Sequence, residues 1–163
     1  MIEPTVALYG DAFNRAASVL EELIDQAQVR YVLLVDRKGF VLAHREALWA
    51  PRPPALDSIA TLVAGNAAAT QALANLLGEP KFNELVKQGE KQGLYVEEVN
   101  DLTLLVMIFD TDTPIGRVKL FGKKAASELD EITRSAVVMP RELGIDKDFH
   151  ESADAMLDDL FGN

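Results

Sequence analysis

Two histidines, His44 and His150, are the only imidazoles in the chain, and it has no cysteine. A zinc or iron site draws its ligands from clustered His, Cys and acidic side chains. One histidine at the end of an expected strand and another in an acidic tail do not make such a cluster. The missing thiols exclude disulfides, thiolate metal sites, iron–sulfur clusters and cysteine nucleophiles. A Ser-His-Asp triad has no fixed spacing, but the Gly-x-Ser-x-Gly elbow that exposes a nucleophilic serine is absent. Gly116 and Gly122 enclose five residues, and Lys123 is followed by Lys124. A P-loop needs four intervening residues, then Gly-Lys and a hydroxyl for magnesium, so the chain is not itself a P-loop GTPase or ATPase. Its glycines are too scattered for a dinucleotide fingerprint. No cofactor and no metal are expected, and the role expected is that of a binding or regulatory protein rather than an enzyme.

The charge balance narrows the partners. The chain of 163 residues has 16 Lys plus Arg against 26 Asp plus Glu, a formal charge of −10. Nucleic-acid phosphates are neutralised by Lys and Arg, and anionic membrane surfaces attract the same residues. Neither partner fits. Met1-Ile2-Glu3-Pro4 opens neither a basic n-region nor a long apolar run, so no signal peptide is expected and the expected location is the cytoplasm. Hydrophobic residues at 48% and charged residues at 26% are the mix of a globular domain rather than a disordered chain.

The elements that must carry any function follow from periodicity. After an extended lead over residues 1–10, Asp11 reads as a helix N-cap. Phe13, Ala16, Ala17, Leu20, Leu23, Ile24 and Ala27 then recur at three- and four-residue spacing, the signature of an amphipathic helix. Residues 30–35 and 40–44 read as a hairpin around Asp36-Arg37-Lys38-Gly39. A Pro-rich loop over 50–57 leads to a second helix from Asp57 or Ser58 to about Gly78. Residues 94–96 and 103–109 read as strands, as does Arg117-Val118-Lys119-Leu120-Phe121. A third helix is expected from Lys124 to about Val138, with Ala125, Leu129, Ile132 and Ala136 on its buried stripe. Hairpins joined by short turns imply an antiparallel sheet, so the fold class is an α/β sandwich: a five-stranded antiparallel sheet, three covering helices and an acidic C-terminal helical tail. The last 23 residues hold two positive and seven negative side chains, half the net charge. Within them Phe149, Ala153, Met156, Leu157 and Leu160 share one helical face.

The second helix is the unusual element. From Ser58 to Gly78 there is no Asp, Glu, Lys or Arg. Its Thr61, Asn66, Thr70, Gln71 and Asn75 and its many alanines exclude a membrane span. At 100° per residue, Ile59, Leu62, Val63, Leu73, Leu76 and Leu77 fall on one face, expected to lie on the sheet. Ala60, Ala64, Gly65, Ala68 and Ala72 fall opposite. A small, neutral outer face lets another backbone approach closely and forms a charge-depleted interface. Homodimerisation and docking of a different protein both remain open at this point.

The element order, together with Val35-Asp36-Arg37-Lys38-Gly39-Phe40-Val41-Leu42-Ala43 at the hairpin and Ala64-Gly65-Asn66 in the second helix, resembles the Roadblock/dynein light chain domain family over about residues 11–139. Ala47-Leu48-Trp49-Ala50-Pro51 and the acidic tail with Leu157-Asp158-Asp159-Leu160 are most similar to its bacterial MglB-type members. The resemblance implies a Roadblock/profilin-like domain over 11–139, with the lead over 1–10 and the tail over 140–163. It implies a homodimer whose two sheets join, with the second helices packed together. That dimer would be a platform for a small Ras-like GTPase of the MglA type, bound two-to-one, and a GTPase-activating protein in bacterial cell polarity and gliding motility. No arginine finger is implied; Arg37, Arg45 and Arg52 are the accessible candidates. The partner-binding residues carried over are Ala64, Ala68 and Ala72, with Lys119 on the strand before the third helix. The tail, through Phe149, Met156, Leu157 and Leu160, is expected to dock on a partner. A non-catalytic scaffold bridging a GTPase to other proteins is the alternative.

Overall fold

The computed structural model describes residues 4–82 and 85–138. A short strand, β1 (Thr5–Val6), leads into helix α1 (Gly10–Ala27). Ala16, Leu20, Leu23, Ile24 and Ala27 form its buried stripe. Tyr9, not Asp11, occupies the N-cap position, and no side chain caps it. Asp11 stands in the first turn, where its charge complements the positive end of the helix dipole. The helix stops at Gln28, whose left-handed φ of 58° turns the chain into the sheet.

Strands β2 (Tyr31–Asp36) and β3 (Val41–Glu46) form the expected hairpin. Asp36 Oδ1 accepts hydrogen bonds from the backbone N–H groups of Lys38 and Phe40, both at 3.0 Å, which closes the turn. Gly39 completes it at φ +99°, a conformation costly for any residue with a Cβ. Its α-carbon also packs on Thr61, whose Cα would stand 3.0 Å from an added Cβ.

Helix α2 (Leu56–Leu77) starts one or two residues before the sequence expectation and ends at Gly78, in the left-handed conformation. It is followed by β4 (Leu85–Gln88), β5 (Gln92–Glu98), β6 (Thr103–Asp110), helix α3 (Ile115–Ser135) and β7 (Val137–Val138). The main sheet runs β3-β2-β6-β5-β4, antiparallel throughout. Its central strands β2 and β6 are covered on both faces, which is why they read as continuous apolar runs. Val32, Leu34, Leu105, Met107 and Phe109 point to the side of α1 and α3. Tyr31, Leu33, Val35, Leu104, Val106 and Ile108 point to α2. Two layers of core therefore sit either side of one sheet. The β1–β7 ladder, with Thr5 opposite Val138 and Val6 opposite Val137, ties the N-terminal lead to the end of α3.

Two expectations for the strands need correction. Arg117–Phe121 is not a strand but the opening turns of α3, which begins at Ile115. The alternation over five residues is local. The longer register of Val118, Gly122, Ala125, Leu129 and Ile132, all buried, is helical. The fifth strand of the sheet is instead β4, in a segment that reads as polar because only Leu85 and Val86 are half-buried on this edge strand.

Gly122 lets α3 lie close on the sheet. A Cβ there would stand 2.9 Å from Met107 Sδ and 3.2 Å from the Tyr95 ring. Gly122→Val should therefore overpack this contact and cost about 1–3 kcal/mol, read as a lower urea midpoint with an unchanged slope.

Candidate partner-binding surface

The outer face of α2 is apolar and uncharged. Leu62, Leu73, Leu76 and Leu77 are 72%, 50%, 84% and 63% exposed. Gly65, Ala68, Ala69 and Ala72 lie exposed among them. The helix is thus rotated part of a turn from the expected orientation: Gly65, Ala68 and Ala72 face outward and Val63 inward as expected, but Leu62, Leu73, Leu76 and Leu77 face outward and Ala60 and Ala64 inward. Ala60, Val63, Ala64 and Ala74 are the residues buried in the chain. The physical reason lies in the sheet below. Tyr31, Leu33, Val35, Val106 and Ile108 already fill the space under α2, so alanines seat the helix closely and the leucines are left outside. Periodicity alone does not fix the rotation of a helix that has no charged stripe to mark its outer side. Bulky residues on the facing strands were the available signal.

Of the residues singled out in the sequence, Ala68 and Ala72 lie on this outer face. Ala64 does not: it is 6% exposed and turned onto the sheet. Lys119, placed on α3 rather than on a strand, belongs to the opposite side of the sheet from α2 and does not join Ala68 and Ala72. Phe149, Met156, Leu157 and Leu160 lie outside the described residues.

The edge of the sheet adds to the surface. β3 is an outer strand, so one side of its backbone has no ladder partner among the described residues. Phe40 precedes it and Leu48 and Trp49 follow it, all exposed. Unpaired edges flanked by apolar side chains pair readily with another chain.

The arginines are held in different ways. Arg37 Nη2 lies 3.1 Å from Glu98 Oε1 and donates to the Asn100 carbonyl at 3.2 Å. Arg45 Nε lies 3.2 Å from Glu21 Oε1, and its Nη1 donates to the His44 carbonyl at 2.7 Å. Arg52 stands exposed in the Pro-rich loop with no ion pair among the described residues.

Beneath the C-terminal half of α2, a hollow lined by Arg37, Ala67, Phe82, Leu85 and Glu98 holds about 100 Å³, below the few hundred Å³ of a usual small-molecule site. Among the described residues no three His, Cys, Asp or Glu side chains gather as metal ligands, and no helix is long and apolar enough to cross a membrane. What the geometry offers is a broad apolar face and, at β3, a strand edge with no ladder partner among the described residues.

Comparison with known proteins gives the family. No curated protein sequence matches the chain. The chain resembles the solved structure of the gliding protein MglB from Thermus thermophilus at 60% identity and a TM-score of 0.78, over 82% of this chain and 99% of that one. An MglB in a tetrameric arrangement matches at 60% identity and a TM-score of 0.79, over 82% of this chain and 98% of that one. Myxococcus xanthus MglB matches at 34% identity and a TM-score of 0.72, over 82% and 98%. The family model of the Roadblock/LC7 domain matches residues 15–109, from α1 through β6. With that match over more than half its length and an MglB-like fold, the chain belongs to the Roadblock/LC7 family.

Proposed function

We propose that two copies of this chain associate and act as a GTPase-activating protein for a small Ras-like GTPase of the MglA type, in bacterial cell polarity and gliding motility. The observation that carries this reading is the uncharged outer face of α2, with its exposed leucines, in a protein of net charge −10. Exposed apolar patches of this kind mark protein interfaces. The likeness to MglB structures supplies the class of partner. Self-association is supported by the free edge of β3 and by the tetrameric arrangement of one MglB relative. Pairing β3 with its own copy is isologous, as a two-fold dimer requires. It would join two sheets and bring two α2 helices together, with Ala68 and Ala72 offered to the GTPase. The apolar residues of the tail, Phe149, Met156, Leu157 and Leu160, are proposed to engage the partner in the helix-in-groove mode.

The activator works by selection. It shifts the GTPase toward a conformation whose own catalytic groups are in place, and only by as much as its affinity for the two conformations differs. It supplies no guanidinium to the transferring phosphoryl group. Loss of an arginine finger costs about 10³–10⁵ in rate, so Arg52→Ala, which removes the most exposed of the three candidates, is expected to leave the acceleration within a few-fold of the parent. The deciding experiment is single-turnover GTP hydrolysis by an MglA-type GTPase with and without this protein. Acceleration supports the activator. Binding without acceleration shows a scaffold that bridges its partners.

A further inference from the structure

The first half of α3 carries Arg117, Lys119, Lys123 and Lys124, and no acidic residue stands in its first turn. Cations at this end oppose the helix dipole, which favours anions there. The chain as a whole is strongly acidic, so a run of four cations on one helix is a local reversal of sign. Lys123 and Lys124 are exposed and make no ion pair among the described residues. Arg117 Nε donates at 2.8 Å to the Gln26 carbonyl, and the guanidinium makes no ion pair among the described residues. Leu120 stands among these cations, 64% exposed. A cationic patch around an apolar anchor fits an acidic segment with apolar residues at helical spacing.

The chain contains such a segment. Residues 146–160 include Asp146, Asp148, Glu151, Asp154, Asp158 and Asp159 against Lys147 alone, together with Phe149, Met156, Leu157 and Leu160. The distance is spanned without difficulty. From Ser135 back to Lys123 along α3 is about 18 Å at the helical rise. The residues between Val138 and Phe149 reach up to about 36 Å when extended. We infer that, in the protein alone, residues 146–160 rest on the α3 patch of their own chain, with Leu120 as the apolar contact and Lys123 and Lys124 against the carboxylates. This site lies on the opposite side of the sheet from α2. It would keep the apolar tail covered while leaving the α2 face open, and it stands whether or not the GTPase reading holds.

The native absence of cysteine allows a direct test in the full-length protein. Ser152→Cys carrying a nitroxide label adds no charge, and its broadening of backbone amide signals reports which surface the tail visits. Signals of Leu120, Lys123 and Lys124 should lose most of their intensity, and recover at about 1 M salt, where the screening length falls to about 3 Å. Lys123→Glu with Lys124→Glu should also release the tail, seen as sharp, narrow-shift signals from residues 146–160. Undisturbed α3 signals at low salt would overturn the proposal. So would broadening of Ala68 and Ala72 instead, or broadening that arises only from the tail of another copy in a mixed sample. Because the labelled parent chain alone decides these outcomes, misfolding of the double variant would not shelter the idea.

Discussion

Under the proposed activator role, Ala68→Arg is expected to abolish acceleration of GTP hydrolysis at concentrations where the parent protein saturates an MglA-type GTPase. Ala68 lies exposed on α2 between Gly65 and Ala72, with Leu62, Leu73 and Leu76 around it. No acidic side chain lies between Ser58 and Gly78 to pair with a new guanidinium. An unpaired charge enclosed in an interface costs about 2–5 kcal/mol, or about 30- to several-thousand-fold in affinity. The fold should hardly respond, because substitutions at exposed positions away from special features stay within about 0.5 kcal/mol. Three measurements separate the cases: the circular dichroism spectrum, the sedimenting mass, and the affinity for the GTPase. Native-like spectra with unchanged affinity would sink the assignment of this face. Loss of the dimer mass would show that Ala68 serves self-association first.

The largest effect on stability is expected from Asn100→Ala. Asn100 sits in the β5–β6 turn and joins it to α3. Its Oδ1 accepts from the N–H groups of Leu102 and Thr103, both at 3.0 Å, and from Thr103 Oγ1 at 2.9 Å. Its Nδ2 donates to Asp130 Oδ1 at 3.1 Å and Thr133 Oγ1 at 2.8 Å. Thr103 and Thr133 are fully buried, so their hydroxyls have no water to replace the lost partner. Each buried polar group left unsatisfied costs about 1–3 kcal/mol. The variant should lose about 2–4 kcal/mol in total, and a domain of this size should then melt on the order of 10 °C lower. A melting temperature unchanged within error would show that the turn re-forms without the amide. The same knot has a pH signature. The hydrogen bond from Asn100, with the Arg134 guanidinium beside it, holds the Asp130 carboxyl below the usual carboxylate range. Its folded pKa is depressed, so its contribution to stability is present above the ordinary carboxylate value of about 3.9. That contribution is lost as the pH falls through the depressed one. Asn100→Ala should flatten this acid limb of the stability profile.

How far the molecule could be read in advance differs from element to element, and the differences have physical causes. The β2–β3 hairpin was legible because Asp36 and Gly39 do local chemistry: one side-chain oxygen closes the turn and one glycine takes a positive φ. α1 was legible because its polar and apolar faces differ in charge as well as size. α2 was legible as a helix and as an uncharged surface, but not in its rotation. Both of its faces are neutral, and the choice between them is made by the bulky strands beneath. β4 was missed because an edge strand with half-buried Leu85 and Val86 needs its neighbour, β5, to be defined at all. Residues 117–121 misled because five residues satisfy both the two-residue and the 3.6-residue period. At the surface, Ala68 and Ala72 were found through their small size, whereas Leu62, Leu73, Leu76 and Leu77 were assigned inward on the rule that leucine is buried. That rule fails here because the strands beneath α2 already fill the space under the helix.

The order of strands also sets the tempo of folding. β2 meets β3 across a four-residue turn, and β4, β5 and β6 form a meander of near neighbours. Within the main sheet the two halves are joined by the β2–β6 pairing, with Val35 opposite Leu104 and Tyr31 opposite Ile108. Val35 also pairs with Val41, six positions away, whereas Leu104 is 69 positions away. Closing that larger loop costs about 2 kcal/mol more in chain entropy, since each doubling of length adds about 0.6. The central pairing is therefore expected to be the slow, late encounter of two locally formed halves. α2, carried on the connecting stretch, gains its full sheet surface only once they have met. Until then its inward alanines and outward leucines are equally bare, and the face proposed to meet partners is also the one expected to be most open to premature association on the way to the native state.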